Sequence, residues 1–221
     1  MRALLLANAD DADPGFVGHH LHRRGYAFAE CLREAPGEWP SLDGVELVLH
    51  LGSEWSVYWP HVAGAVAAEA ELLRTAHLRD IPILAICFGS QLAAHALGGT
   101  VHRMAAPEIG WWAIDSDVDE IAGGPWMQWH SDAVTLPPGA VELARNPFGV
   151  QTWRRGRLLC TQFHPEATET MLARWTAGGA DELALVGSSR EALMTTTRAN
   201  VKQARLDAER LVDWFLDHVA G

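Results

Sequence analysis

Short apolar runs alternate with helical patterns through the first half of the chain, as expected of βαβ units built on a mainly parallel sheet. The run Ala3–Ala7 predicts a central strand, and Phe16–Arg24 a helix stopped by Gly25. Tyr26–Cys31 and Val45–Leu51 predict two further strands, the second halted by Gly52. From Pro60 to Arg79, Val62, Val66, Ala70 and Leu73 recur at steps of three and four, which predicts a helix with Pro60 in its first turn. Ile81–Ile86 reads as a buried strand running into Cys87, and Gln91–Leu97 as a short helix closed by Gly98-Gly99.

The second half changes character. Trp111–Ile114, Trp126–His130, Val134–Leu136, Val150–Trp153 and Leu158–Phe163 are strand-like pieces between Gly/Pro turns, which predicts antiparallel strands appended to the parallel sheet. Arg155-Gly156 fits a tight turn between the last two. Thr168–Trp175 reads as a helix ended by Gly178-Gly179. Leu193, Val201, Leu211, Phe215 and Val219 then recur at near-helical intervals, so Arg190–Val219 should form one or two terminal helices. The expected fold class is α/β, with one domain over 1–178 and a helical extension over 179–221 packed on it.

Composition narrows the function. With 221 residues and 48% hydrophobic side chains, the chain can bury a large core without disulfide or metal staples. Its net charge of −11 argues against a nucleic-acid partner, whose affinity comes from cations neutralising phosphates. The three cysteines, Cys31, Cys87 and Cys160, are too scattered for a disulfide framework or a CxxC metal site, which implies a reducing compartment. The apolar run Ala3–Ala7 falls short of the ~7 to 15 residues of a signal-peptide core. The best apolar stretch, Ile81–Phe88, falls far short of the ~20 residues of a membrane span. A cytoplasmic protein with no membrane partner is expected.

The most informative segment is Ile81–Gln91, where a buried strand delivers Cys87 to a sharp turn that opens a helix. A helix N-terminus favours a thiolate, and its N–H groups can bind a developing oxyanion. Cys87 alone also reads as one more buried small hydrophobe. A thiol nucleophile needs a base, and Gln162-Phe163-His164-Pro165-Glu166 follows directly on a predicted strand. Alternate positions after a strand set His164 and Glu166 on one side, so the carboxylate can orient the imidazole.

Together Cys87-Phe88-Gly89-Ser90-Gln91 and Gln162-Phe163-His164-Pro165-Glu166 resemble a class I (triad-type) glutamine amidotransferase. Ala96-Leu97-Gly98-Gly99-Thr100-Val101, Glu108-Ile109-Gly110-Trp111 and Trp129-His130-Ser131-Asp132 are similar to stand-alone members like the glutaminase part of GMP synthetase. The resemblance covers roughly residues 1–175 and implies a flavodoxin-like sheet. It implies that Cys87 attacks the glutamine side-chain amide, that His164 shuttles protons and that Glu166 holds His164. Oxyanion donors would come from Phe88 and the loop containing Gly52 and Ser53. Gln91 and the main chain around His130 and Ser131 would hold the substrate. No cofactor or metal is implied, and ammonia would pass to a separate acceptor enzyme.

Two departures from the family pattern bear on activity. Ala85 stands where many relatives have glycine, and Ser53-Glu54 replaces the second glycine and proline of the oxyanion loop. A peptide that must flip to present its N–H is then less free to do so, so basal activity should be weak or dependent on a partner. The same thioester chemistry would serve a γ-glutamyl peptidase acting on γ-glutamyl conjugates, and a quiet loop would leave a partner or sensor module.

Other clusters read more plainly. His19-His20-Leu21-His22 lacks a completing ligand, and Cys160 reads as packing. Trp55, Tyr58 and Trp59 read as core or rim, or as a wall for an acceptor substrate. Neither Gly52-Ser53 nor Gly98-Gly99 sits in a phosphate-loop frame, so substrate activation with ATP would occur elsewhere.

Overall fold

The computed structural model describes all residues, Met1–Gly221. The strands are β1 Arg2–Ala7, β2 Ala27–Leu32, β3 Leu47–His50, β4 Ile83–Ile86, β5 Thr100–Trp112, β6 Asp115–Ser116, β7 Trp126–Thr135, β8 Val141–Asn146, β9 Gly149–Arg155 and β10 Leu158–Thr161. The helices are α1 Gly15–Arg23, α2 Ala63–Leu78, α3 Phe88–Ala96, α4 Asp119–Ala122, α5 Glu169–Gly178, α6 Ala180–Leu185 and α7 Arg190–His218. A single sheet runs in the order β2-β1-β3-β4-β10-β9-β8-β6. Its first five strands are parallel, and β9, β8 and β6 extend it antiparallel. This is the mixed α/β architecture expected, with helices on both faces.

Burial on two faces explains why β4, Ala3–Ala7 of β1 and Leu47–Leu49 of β3 read as apolar runs without alternation. Ala3, Leu5 and Ala7 point into a core shared with Val17 and Leu21 of α1 and Leu211, Val212 and Phe215 of α7. Leu4 and Leu6 point the other way, against Leu73 and Ala76 of α2 and Ala93 and Ala94 of α3. The terminal segment forms one long helix, α7, whose Ser189 cap accepts a hydrogen bond from the Ala192 N–H. His20 does not face its neighbouring histidines but pairs with Asp213 of α7 at 2.5 Å. No helix is long and apolar enough to cross a membrane.

Several expectations for the second half need correction. Of the strand expected at Trp111–Ile114 only Trp111 and Trp112 are strand, the end of the long β5, and the pieces expected at Trp126–His130 and Val134–Leu136 fall on one strand, β7, which stops at Thr135. These two do not join the main sheet but pair with each other as a separate antiparallel ribbon. β5 hid from the pattern because most of its first half is partly or fully exposed, and its register shifts between Arg103 and Glu108, around Pro107. β6 and β8 were not expected. α3 begins at Phe88 rather than Gln91, directly behind the cysteine.

Candidate active site

Strand β4 ends at Ile86, and the chain turns through Cys87 into α3. Cys87 has φ +51°, a left-handed conformation that a side-chain-bearing residue adopts only under constraint. The constraint comes from both flanks. The Cys87 N–H donates to the Thr161 carbonyl of β10 at 2.8 Å, and the Gln91 N–H donates back to the Cys87 carbonyl at 3.0 Å. Gly89 is required because a Cβ there would lie 2.5 Å from the His50 carbonyl oxygen. The thiol thus stands at the carboxyl end of the parallel strands and at a helix N-terminus.

The second segment leaves β10 at Thr161. Its His164 N–H donates to the Met127 carbonyl of β7 at 2.8 Å. His164 Nδ1 lies 2.6 Å from Glu166 Oε1, and both side chains are buried. The other ring nitrogen, Nε2, is buried and makes no hydrogen bond within the chain. Gly52 sits against both groups: a Cβ there would lie 3.0 Å from His164 Cε1 and 3.5 Å from Cys87 Cβ. Cys87, His164, Glu166 and the loop at Gly52 therefore share one small space.

Burial lowers the His164 pKa, but the Glu166 charge, the nearby Cys87 sulfur and the hydrogen bond to Glu166 outweigh it, so the imidazole holds its proton well above the ordinary range. The raised value contributes stability that is fully present below the unfolded imidazole value of about 6.5 and is lost as pH rises through the folded value. Glu166→Gln removes the largest raising charge. The difference in urea unfolding free energy between wild type and Glu166→Gln should be greatest below about pH 6.5 and shrink steadily as pH rises from there toward the alkaline side. A difference that stays constant or grows would contradict this.

The remaining expected residues fall as follows. Phe88 is the first residue of α3 and is buried, with Trp55 edge-on to its ring. Ser53 is half-buried in the loop after Gly52. Gln91 is buried, its Nε2 at 3.5 Å from both the Asp132 carbonyl and Gln162 Oε1. The His130 side chain turns away from the thiol into a buried network, with Nε2 at 2.9 Å from Glu108 and Nδ1 at 3.0 Å from the Asp132 carbonyl. Ser131 follows on β7, half-buried. Cys160 is buried in β10, where desolvation pushes its thiol pKa far up.

Other neighbours escaped sequence reasoning. Gln162 Nε2 approaches the Cys87 sulfur at 3.7 Å, and the thiol faces the Trp129 carbonyl at 3.8 Å. Trp175 of α5 packs edge-on to the His164 ring at 4.9 Å, and its indole N–H donates to Asp11. Asp132 accepts hydrogen bonds from Ser56 and from Tyr58, the latter at 2.8 Å, which ties the segment after the oxyanion loop to β7. Behind the loop lies a fully buried cluster of Arg33, Glu69 and His50. Burial raises the Glu69 pKa, but the Arg33 and His50 contacts outweigh it and hold the carboxylate ionised.

Comparison with known proteins bears on the family and the fold. The chain is 37% identical over 121 residues to the GMP synthase [glutamine-hydrolyzing] of Aeropyrum pernix, covering 49% of this chain and 23% of that protein. It is 39% identical over 103 residues to the enzyme of the same name from Thermomicrobium roseum, covering 42% and 19%. The chain thus matches about a quarter or less of these relatives' length. A glutamine amidotransferase from Thermotoga maritima superposes with a TM-score of 0.87 at 25% identity, over 98% of both chains. A glutamine amido transferase from Methylobacillus flagellatus shares the fold, with a TM-score of 0.83 at 19% identity, over 99% of this chain and 94% of that one. Residues 60–174, just over half of the chain, match the family Glutamine amidotransferase class-I, and the chain belongs to that family.

Proposed function

We propose that the protein hydrolyses the side-chain amide of glutamine through a γ-glutamyl thioester on Cys87. The observation that carries this reading is the convergence of a thiol on a strained turn with an imidazole whose far nitrogen is held by a carboxylate at 2.6 Å. The Cys87 thiolate adds to the γ-carbonyl carbon, and the oxygen takes the negative charge. His164 gives a proton to the departing nitrogen, ammonia leaves, and the carbonyl re-forms as a thioester. A water molecule then gives its proton to His164 and attacks the thioester carbon, which releases glutamate and restores the thiolate. Glu166 keeps the imidazole oriented and its charged form stable.

The N–H groups of Phe88 and Ser53 are the oxyanion donors in this reading, and Gln91 with the main chain at His130 and Ser131 holds the substrate. The ammonia would serve an acceptor enzyme on a separate chain, a reading supported by relatives whose name couples glutamine hydrolysis to GMP synthesis. Glutamate release from glutamine and from a panel of γ-glutamyl amides tests it, with covalent labelling of Cys87 by a glutamine-derived electrophile alongside. Preference for γ-glutamyl conjugates over free glutamine would make the protein a γ-glutamyl peptidase. Absence of both turnover and labelling would leave only a binding module.

A further inference from the structure

Arg33 follows the end of β2, is fully buried, and divides its guanidinium between the loop beside the thiol and the buried side chains of Asn8 and Glu69. Its Nη2 donates to the Leu51 carbonyl at 2.6 Å, and Nη1 to the Gly52 carbonyl at 2.9 Å and to Asn8 Oδ1 at 2.7 Å. Nε lies 3.0 Å from Glu69, which in turn meets His50 Nε2 at 2.5 Å. The guanidinium carbon stands 4.9 Å from the centre of the Phe88 ring. Successive carbonyls in a strand point to opposite sides. Two adjacent carbonyls gripped by one guanidinium therefore mark a bend imposed on the chain at Leu51-Gly52.

We infer that Arg33 is a positioning residue that locks the Gly52-Ser53 peptide with its N–H toward the oxyanion, so that the isolated chain needs no peptide flip and no partner to turn over. This rests on the hydrolase reading above. The Gly52-Ser53 bond is trans, since the only cis peptide bond is Gly124-Pro125. In a trans peptide the N–H points opposite to the C=O. With the Gly52 oxygen drawn onto Arg33, the Ser53 N–H faces away from the guanidinium, and it makes no hydrogen bond within the chain. Gly52 itself lies against His164 and Cys87, which sets the peptide that carries this free donor beside the reacting groups. A cation on the carbonyl oxygen also polarises the peptide and strengthens its N–H as a donor.

The lock answers the departure at Ser53-Glu54. A loop without a second glycine resists flipping, which is a handicap only if its resting orientation is the wrong one. Glu69 and His50 explain how an ionised guanidinium tolerates full burial there, since an unpaired buried charge would be expelled or neutralised. Lysine cannot replace the fork, because a single ammonium cannot span two carbonyls and a carboxylate in this planar geometry.

The test compares wild type, Arg33→Lys and Arg33→Met as isolated full chains on glutamine and γ-glutamyl p-nitroanilide, with rates normalised to Cys87 titrated by iodoacetamide. Alkylation displaces iodide in one step and forms no oxyanion, so it reads thiol and imidazole without the loop. Both variants should lose about 10²-fold in kcat, the scale of one oxyanion donor, with KM and the alkylation rate close to wild type. If Arg33→Met does not fold, Arg33→Lys, which keeps a cation beside Glu69, decides. Variants with wild-type kcat, or with kcat and alkylation falling together, overturn the lock and leave the hydrolase reading intact. A wild type whose Cys87 is labelled but does not turn over alone also overturns the lock. A wild type that neither labels nor turns over overturns both.

Discussion

Cys87→Ala and His164→Ala should each lower glutamate release by about 10⁴- to 10⁶-fold, and the double variant should fall no lower than either single one. The reason is that the proposed sulfur and imidazole act as one unit. Without the thiol, His164 has no nucleophile to serve. Without the imidazole, the leaving nitrogen must depart as an amide anion and the attacking water has no base. The residual rate belongs to whatever binding and oxyanion donors remain. Alanine keeps the Cβ of Cys87 and therefore the same cost at φ +51°, so the variant tests chemistry rather than backbone strain. Glutamate release read beside the unfolding midpoint of each variant checks this. Losses that multiply in the double variant would show two independent contributions and would refute a shared mechanism.

Where the sequence was legible, the cause was short-range physics. Ile81–Ile86 reads as a strand because helices cover both of its faces, and the sharp turn at Cys87 follows because strand, cysteine and Gly89 are contiguous. His164 and Glu166 could be paired because they are two residues apart on one turn. Long-range pairing was not legible. β5 gave no alternating signal, since Arg103 and His102 lie exposed on a ribbon that leaves the main sheet. Trp175 reaches His164 only through the direction α5 takes after Thr168 caps it. The cluster behind the loop joins Arg33 just after β2, His50 of β3 and Glu69 of α2, and no spacing announces it. One signal was available: Glu69 falls beside Val66, Ala70 and Leu73 on the apolar stripe of α2, where a charge must have a buried partner.

Gly15→Ala should both destabilise the protein and slow it, although residue 15 contacts neither thiol nor imidazole. Gly15 opens α1 at φ +50°, and a Cβ there would lie 1.9 Å from the Glu166 carbonyl oxygen and 2.8 Å from its carbon. That oxygen is held by the Phe16 N–H at 3.0 Å, so the first turn of α1 anchors the His164-Pro165-Glu166 turn by its backbone. A methyl group must drive the two apart by about 1 Å, because Cβ atoms do not approach oxygen closer than about 3 Å. The left-handed alanine costs about 1 to 2 kcal/mol and the overpacking about 1 to 3 kcal/mol, so unfolding free energy should fall by about 2 to 5 kcal/mol. The displaced Glu166 would no longer hold His164 at its 2.6 Å contact, and a misplacement of that size costs about 10²-fold in turnover. Gly64→Ala is the comparison, since Gly64 lies in α2 with open space around its Cβ position and should be neutral or gain up to about 1 kcal/mol. If Gly15→Ala matched Gly64→Ala in urea unfolding and in turnover, the grip of α1 on the His164 turn would have no bearing on either.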